Sequence, residues 1–232
     1  MNRLSFLLTV WVIALLALTP PIVHAQSRDL QALVQSLNGV ASFSTGKGAS
    51  VVIQPGMRIS AGSTIQTGAG AVLDLFLGRG GGVLRLKAGT IVTLEKLSSI
   101  DTGTDVQSET RISLSQGEVL GSVNRLPEGA SYELWTPDGL AGVQGARFRV
   151  RVPGGIQVLN GTLVFVRDNK AHVIKGPGEF NWQWAQPIRA LPPAEVPILA
   201  RQFVTLDAPV QTTQRVRPPV PQQTPLSPTE GR

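Results

Sequence analysis

Residues 131–152 read Ser-Tyr-Glu-Leu-Trp-Thr-Pro-Asp-Gly-Leu-Ala-Gly-Val-Gln-Gly-Ala-Arg-Phe-Arg-Val-Arg-Val, which is two strand-like runs joined by a turn. In the second run, apolar residues alternate with arginines: Phe148, Val150 and Val152 share one phase, and Arg147, Arg149 and Arg151 share the other. A period of two is typical of a strand with one buried face. Thr136-Pro137-Asp138-Gly139 closes the first run with residues that favour a turn.

The rest of the chain continues this rhythm. With 25 Gly, 17 Pro and 5% aromatic residues in 232, the composition favours many short strands. Short separators such as Gln116-Gly117 and Asn160-Gly161 predict turns, and Asn-Gly predicts a hairpin. We therefore predict an all-β domain, built as an antiparallel β-sandwich, a jelly roll or a β-helix. Further strands are expected at 51–54, 63–67, 72–77, 83–87, 90–97, 110–115, 119–124, 156–159, 163–167 and 172–174.

The two ends of the chain have different compositions. Residues 1–25 combine a basic start, an apolar run and small residues before Gln26, which predicts a cleaved signal peptide; an uncleaved anchor is the alternative. A cleaved signal implies a periplasmic or secreted protein without a membrane span. Apolar residues at helical spacing over 27–37 allow a short helix, with an entering strand as the competing prediction. The domain should cover 26–186, and the Pro-rich segment 187–232 should be largely disordered.

The composition also bears on function classes. The absence of Cys excludes disulfides and thiolate chemistry. His172 would be the one His left after signal removal, which argues against a multi-His metal site and a Ser-His-Asp triad. We expect a non-enzymatic protein without a cofactor. The formal net charge of +6 suits an acidic protein surface or an anionic cell-wall polymer, and export argues against nucleic acid.

Three segments resemble the FecR domain family: Gly62-Ser-Thr-Ile-Gln-Thr-Gly68, Leu114-Ser-Gln-Gly-Glu-Val119 and residues 135–150. The third is similar to the family signature Thr-Pro-x-Gly followed by Val-Arg-Gly-Thr-x-Phe-x-Val. Its matching positions, together with two neighbours, are Trp135, Thr136, Pro137, Gly139, Gly142, Gly145 and Phe148. Gln144 and Ala146 depart from the Arg and Thr of the pattern. The resemblance covers about 34–167 and implies a compact all-β extracytoplasmic domain with a role in sensing or signalling through an envelope protein partner.

Some of these residues have structural expectations of their own. Gly142 and Gly145 are expected where the backbone needs a positive φ or a close approach. Trp135 is expected to anchor the core, with its indole N–H hydrogen-bonded to one partner.

Two surfaces are candidates for binding. Phe180, Trp182 and Trp184 would share one face of a strand and form an aromatic platform, which suggests a carbohydrate- or peptidoglycan-binding module as the alternative function; their burial at one end of the core is the competing interpretation. Arg147, Arg149 and Arg151 would share a face that holds an anion, unless they guard an edge strand with charge.

Overall fold

The computed structural model describes residues 27–101, 106–182 and 187–206, and strands dominate these ranges, so the all-β prediction is confirmed. The elements are β1 (Ser27–Asp29), β2 (Gln31–Asn38), β3 (Ala41–Thr45), β4 (Val51–Val52), β5 (Arg58–Ser60), β6 (Ser63–Thr67), β7 (Val72–Phe76), β8 (Val83–Leu86), β9 (Ile91–Asp101), β10 (Val106–Val123), β11 (Ser131–Thr136), β12 (Gly139–Val152), β13 (Gly155–Arg167), β14 (Lys170–Lys175), β15 (Gly178–Asn181), β16 (Arg189–Ala190) and the helix α1 (Glu195–Val204).

Three long strands, β10, β12 and β13, change partners along their length. The first part of β10 pairs with β9 and β11, whereas its last seven residues, 117–123, pair with β12, and 119–122 of these also pair with β8. The sheet thereby divides into two half-sheets that share these strands. The first half-sheet has the order β4-β3-β6-β9-β10-β11-β12-β13-β14, and the second has the order β5-β2-β7-β8-β10-β12-β13-β15-β16. Buried residues of both contribute to one apolar core.

Glycines mark the points where the long strands bend. Gly145 in β12 has φ +114°, and a Cβ there would lie 2.7 Å from Cα of Arg125. Gly161 in β13 has φ +83°, and a Cβ there would collide with the carbonyl oxygen of Gly145. The pairing of β12 with β13 shifts register between Val143 and Ala146. These features are typical of β-bulges, which bend a strand without ending it.

The predicted turns at Gln116-Gly117 and Asn160-Gly161 are therefore wrong. Both pairs lie inside strands, β10 and β13 respectively, and Gly117 also has a positive φ of +95°. The chain reverses instead at Asp168-Asn169, whose φ values are +49° and +58°, as a two-residue hairpin loop requires. A glycine with positive φ suits a bulge as well as a turn, so the dipeptide alone did not distinguish the two.

The alternation predicted for 147–152 is confirmed. Phe148 and Val150 are fully buried, while the three arginines lie on the opposite face. The prediction of a purely antiparallel sheet is wrong for one pair of strands, because β11 runs parallel to β10, with Glu109 opposite Ser131. Side chains alternate in the same way in both directions, so the sequence pattern does not report strand direction.

The start of the described chain forms strands rather than a helix. In β2, Ala32 and Val34 are buried on one face, and they lie opposite Ile59 of β5 and Leu75 of β7. The helix expected over 27–37 is wrong and the competing strand is right. Pairing on both sides of β2 decides the conformation, since propensity is a weak term in such a short segment.

The described strands and helix also continue beyond the expected boundary at 186. Residues 187–206 form β16 and α1, and a second apolar cluster joins this segment to the sheet. Its buried members are Leu120, Leu191, Leu199, Phe203 and Leu206. The predicted signal peptide and the remainder of the Pro-rich segment, 207–232, lie outside the described residues. Within the described ranges, no helix has the length and apolar character needed to cross a membrane.

Candidate interaction surfaces

On the outer face of the second half-sheet, residues that lie opposite one another on neighbouring strands form one row across eight strands. We call such a row a register row. From β2 to β16 its members are Ser36, Asp74, Arg85, Leu120, Arg149, Gln157, Glu179 and Arg189. The helix α1 lies along this row, with contacts to Gln157 near its start and to Arg85 near its end. Ten helical residues span about 15 Å, and the three strand spacings between those two contacts span about 14 Å.

Arg85 joins the sheet to the end of the helix. Its Nε and Nη2 donate to the two carboxylate oxygens of Asp74 at 2.6 and 2.8 Å. Its Nη1 donates to the carbonyl oxygen of Gln202 at 3.1 Å and to Oγ1 of Thr205 at 2.7 Å. The last carbonyl groups of a helix lack partners within the helix and carry partial negative charge. Arg85 therefore satisfies one of them while it forms a bidentate ion pair.

Gln157 has the corresponding role at the other end of α1. Its Nε2 donates to Glu195 at 2.9 Å and to Glu179 at 3.0 Å, and its Oε1 accepts a hydrogen bond from Arg149. Arg189 forms an ion pair with the buried carboxylate of Glu179. This side of the molecule is thus a connected polar network beneath the first turn of the helix.

The three arginines predicted as an anion site share a face, but they are engaged separately. Arg151 pairs with Glu118 at 2.9 Å, Arg149 donates to Gln157, and the backbone N–H of Arg147 donates to Asn160 at 3.1 Å. Burial lowers the pKa of Arg149, which the carboxylate of Glu118 opposes. Because β12 lies between neighbouring strands, the alternative of a charge-guarded edge is wrong, and the anion site stays a prediction.

The expected aromatic platform is not available at two of its three positions. Phe180 and Trp182 are 7% and 5% exposed and belong to the main core. The ring of Trp182 stacks on Phe165, with centroids 5.0 Å apart and planes inclined by 16°, and Phe180 stacks against His172 at 4.5 Å. These rings close one end of the core, as the competing interpretation expected. Trp184 lies outside the described residues.

Trp135 is on the surface, which corrects the prediction that it anchors the core. Its side chain is 44% exposed, and its indole N–H donates to Glu133 at 3.1 Å, so the expected hydrogen bond is present. Tyr132 and Leu134 occupy the inward phase of β11 instead. The period of two in this run places Trp135 on the outer face, although the size of its ring favours burial.

Trp135 lies in a register row without charges on the outer face of the first half-sheet. From β3 to β14 the members are Ser44, Thr64, Thr93, Ser113, Trp135, Leu140, Val166 and Ala171. Val164 and Val173 pair in the next row. We call the surface formed by Trp135, Leu140, Val164, Val166, Ala171 and Val173 the Trp135 face. Val166 and Val173 are 39% and 48% exposed.

Residues 63–169 match the family model described as FecR protein. The chain contains a FecR domain. The match begins at β6 and ends in the loop after β13, so both half-sheets contribute strands to it. No curated protein and no solved structure gives a significant match to the chain.

Several signature residues of the FecR domain shape its hairpins. Pro137-Asp138 connects β11 to β12, and Oγ1 of Thr136 accepts hydrogen bonds from the backbone N–H groups of Asp138 and Gly139. The expectation for Gly145 is confirmed. For Gly142 it is wrong, because its φ is not positive and a Cβ would have no heavy atom closer than 3.8 Å.

The packing of Phe148 explains why position 121 of the FecR domain is a glycine, which the sequence pattern did not indicate. Gly121 of β10 lies directly opposite Phe148 of β12, and a Cβ on Gly121 would collide with the phenyl ring. Phe148 also makes an edge-to-face contact with Tyr132, with centroids 6.2 Å apart. In the described ranges, no group of three or more His, Cys, Asp or Glu residues is arranged to hold a metal ion.

Proposed function

We propose that this protein is a non-enzymatic binding module that works outside the cytoplasm and holds a protein partner on the Trp135 face. The observation that carries the proposal is the exposure of neighbouring large apolar side chains on one face of the sheet: Trp135, Val166 and Val173 are each at least 39% exposed. Contiguous exposed apolar surface on a folded domain commonly marks an interaction site, and Trp is enriched among the residues that dominate binding energy.

The contrast between the two outer faces supports this assignment. On the second half-sheet, α1 covers the apolar residue Leu120 and buries Leu199 and Phe203. On the first half-sheet, no described element lies over the Trp135 face, whose large side chains stay in contact with solvent. A partner bound there would cover exposed apolar side chains, as α1 does on the second half-sheet.

Charge at the margin of the face favours an acidic partner. Lys170 and Lys175 lie at the two ends of β14 and form no ion pair with any described residue. On the other margin, Arg111 pairs with Glu109 and Glu133. The charge along β14 is therefore positive, and the partner surface should combine apolar residues with Asp or Glu where it meets this strand.

The test uses two matched double variants. Val166→Thr with Val173→Thr keeps the β-branched shape but makes the Trp135 face more polar, whereas Val40→Thr with Val52→Thr changes two valines on the β3–β4 side that are even more exposed. A photo-cross-linking amino acid at position 135 captures the partner in cells, and titration calorimetry then measures its affinity for the purified proteins. We expect the first variant to bind at least about tenfold more weakly and the second to match the wild type. Equal affinities for all three proteins would refute the proposal.

The extracytoplasmic location is supported by residues 1–25, and mass spectrometry of the exported protein tests it separately. We expect the mature chain to begin at Gln26. Recovery of the whole protein from the cytoplasm would contradict this. The burial of Phe180 and Trp182 argues against the peptidoglycan alternative, because it removes two of its three expected contacts.

A further inference from the structure

The strand β14 forms one edge of the first half-sheet. It pairs with β13 along all six residues, from Arg167 opposite Lys170 to Thr162 opposite Lys175. No other described strand pairs with it. An edge strand presents a row of backbone N–H and C=O groups that can pair with another extended segment. The other outer strands offer less, since β1 and β5 have three residues each and β4 and β16 have two.

The interior of β14 lacks the features that usually block such pairing. Its four central residues are Ala171, His172, Val173 and Ile174, with no charge, Pro or Gly among them. Lysines stand at its two ends and leave the central backbone unguarded. Ile174 is fully buried, and His172 stacks on Phe180, so the inward side of the strand is held against the core. The edge strand β14 is therefore both held in place and accessible to another extended segment.

The outward side of β14 belongs to the Trp135 face. Ala171 lies opposite Val166, and Val173 lies opposite Val164. A strand added beside β14 would lie about 4.8 Å further out. Its outward side chains would continue the same two rows, so one added strand would extend both the hydrogen-bond ladder and the apolar surface.

We propose that the partner adds an extended segment of about six residues to β14, with apolar residues at the positions beside Ala171 and Val173 and acidic residues near Lys170 and Lys175. This inference rests on the proposed function and specifies how the partner binds. Main-chain hydrogen bonds would supply affinity, and the alternate side chains would supply specificity. A second copy of this chain fits poorly, because two β14 strands side by side would bring four lysines together without an acidic residue.

The test uses a synthetic six-residue peptide that alternates valine with threonine and has glutamate at both ends. Binding is followed by the backbone amide NMR signals of the full mature chain. We expect the largest shifts at residues 170–175 and none at Val51–Val52. N-methylation of the peptide amides that face β14 should abolish binding, whereas N-methylation of the amides in the opposite phase should leave it unchanged, because the latter amides point away from the ladder.

Reversing the charges, first on the peptide and then on the protein, tests whether charge complementarity contributes to binding. A peptide with lysine at both ends should bind about three- to tenfold more weakly, and Lys170→Glu with Lys175→Glu should reverse this order. Absence of any shift at 170–175 at millimolar peptide would overturn the inference, as would equal binding of both N-methylated peptides or self-association of the protein through β14. If the partner still requires Val166 and Val173 while the peptide fails, strand addition is wrong and the proposed function stands.

Discussion

Replacing Arg85 by Met tests the connection between the sheet and helix α1. The side chains of Arg85 and Asp74 are each 11% exposed, and the pair is bidentate. After Arg85→Met, the carboxylate of Asp74 would keep a hydrogen bond from Ser36 at 2.9 Å but lose its cation. The hydrogen bonds from Arg85 to Gln202 and Thr205 at the end of α1 would be lost as well.

The expected cost follows from this geometry. Leaving one member of a buried ion pair alone costs about 3–5 kcal/mol. The two contacts at the helix end lie near water, so their loss adds about 1 kcal/mol at most. We therefore expect Arg85→Met to lower the free energy of unfolding by about 4 kcal/mol. Lys96→Met removes an ion pair to Glu109 between side chains 49% and 34% exposed, and should cost below about 1 kcal/mol.

Urea unfolding followed by tryptophan fluorescence measures both variants, and a double-mutant cycle isolates the pair. Asp74→Leu alone should also be destabilising, because it leaves Arg85 buried without an anion. The double variant should recover most of the loss, since an apolar pair of similar volume can replace a buried ion pair. If Arg85→Met costs less than about 1 kcal/mol, or if the double variant is as unstable as the sum of the single variants, the pair does not hold α1 in the way we describe.

Three further predictions concern the core and its bends. Burial raises the pKa of Tyr132, the single Tyr of the chain, so tyrosinate absorbance should stay absent above pH 10 until the protein unfolds. The free energy of unfolding should fall there by about 1.4 kcal/mol per pH unit, because the unfolded state loses the proton first. A titration of Tyr132 in the native protein near pH 10 would contradict this. Phe203→Ala should cost about 3–5 kcal/mol in the packing of α1, seen as faster amide exchange in 195–204 with the sheet still protected. Gly161→Ala should cost more than about 2 kcal/mol in a denaturant titration, whereas Gly142→Ala should stay within about 0.5 kcal/mol of the wild type; equal effects would refute the assignment of the bulge.

The binding surfaces show how far the pattern of the sequence reaches. The alternation at 147–152 correctly placed the arginines on the face opposite Phe148. It did not indicate that Arg149 would meet Gln157 beneath a helix, because that contact joins residues on different strands and depends on register. The Trp135 face also depends on register, since its members come from four strands that lie side by side after folding.

The errors share a physical cause. Asn160-Gly161 predicts a turn by its local chemistry, yet the chain continues through it as a bulge because neighbouring strands pair on both sides of β13. Leu199 and Phe203 lie within a Pro-rich segment that looks unable to bury apolar surface. They do so because Leu120 faces outward on the second half-sheet and provides the surface that the segment lacks.

By itself, the sequence determined the all-β class, the inward and outward phases of its strands and the hairpin after Thr136, because side-chain alternation and turn chemistry act between residues close in the chain. Tertiary structure alone decided which strands are neighbours, where the long strands bend, which outer face α1 covers and that Trp135 stays exposed. Those outcomes depend on register between distant segments, where many pairings satisfy the same local pattern and the packing of the whole core selects one.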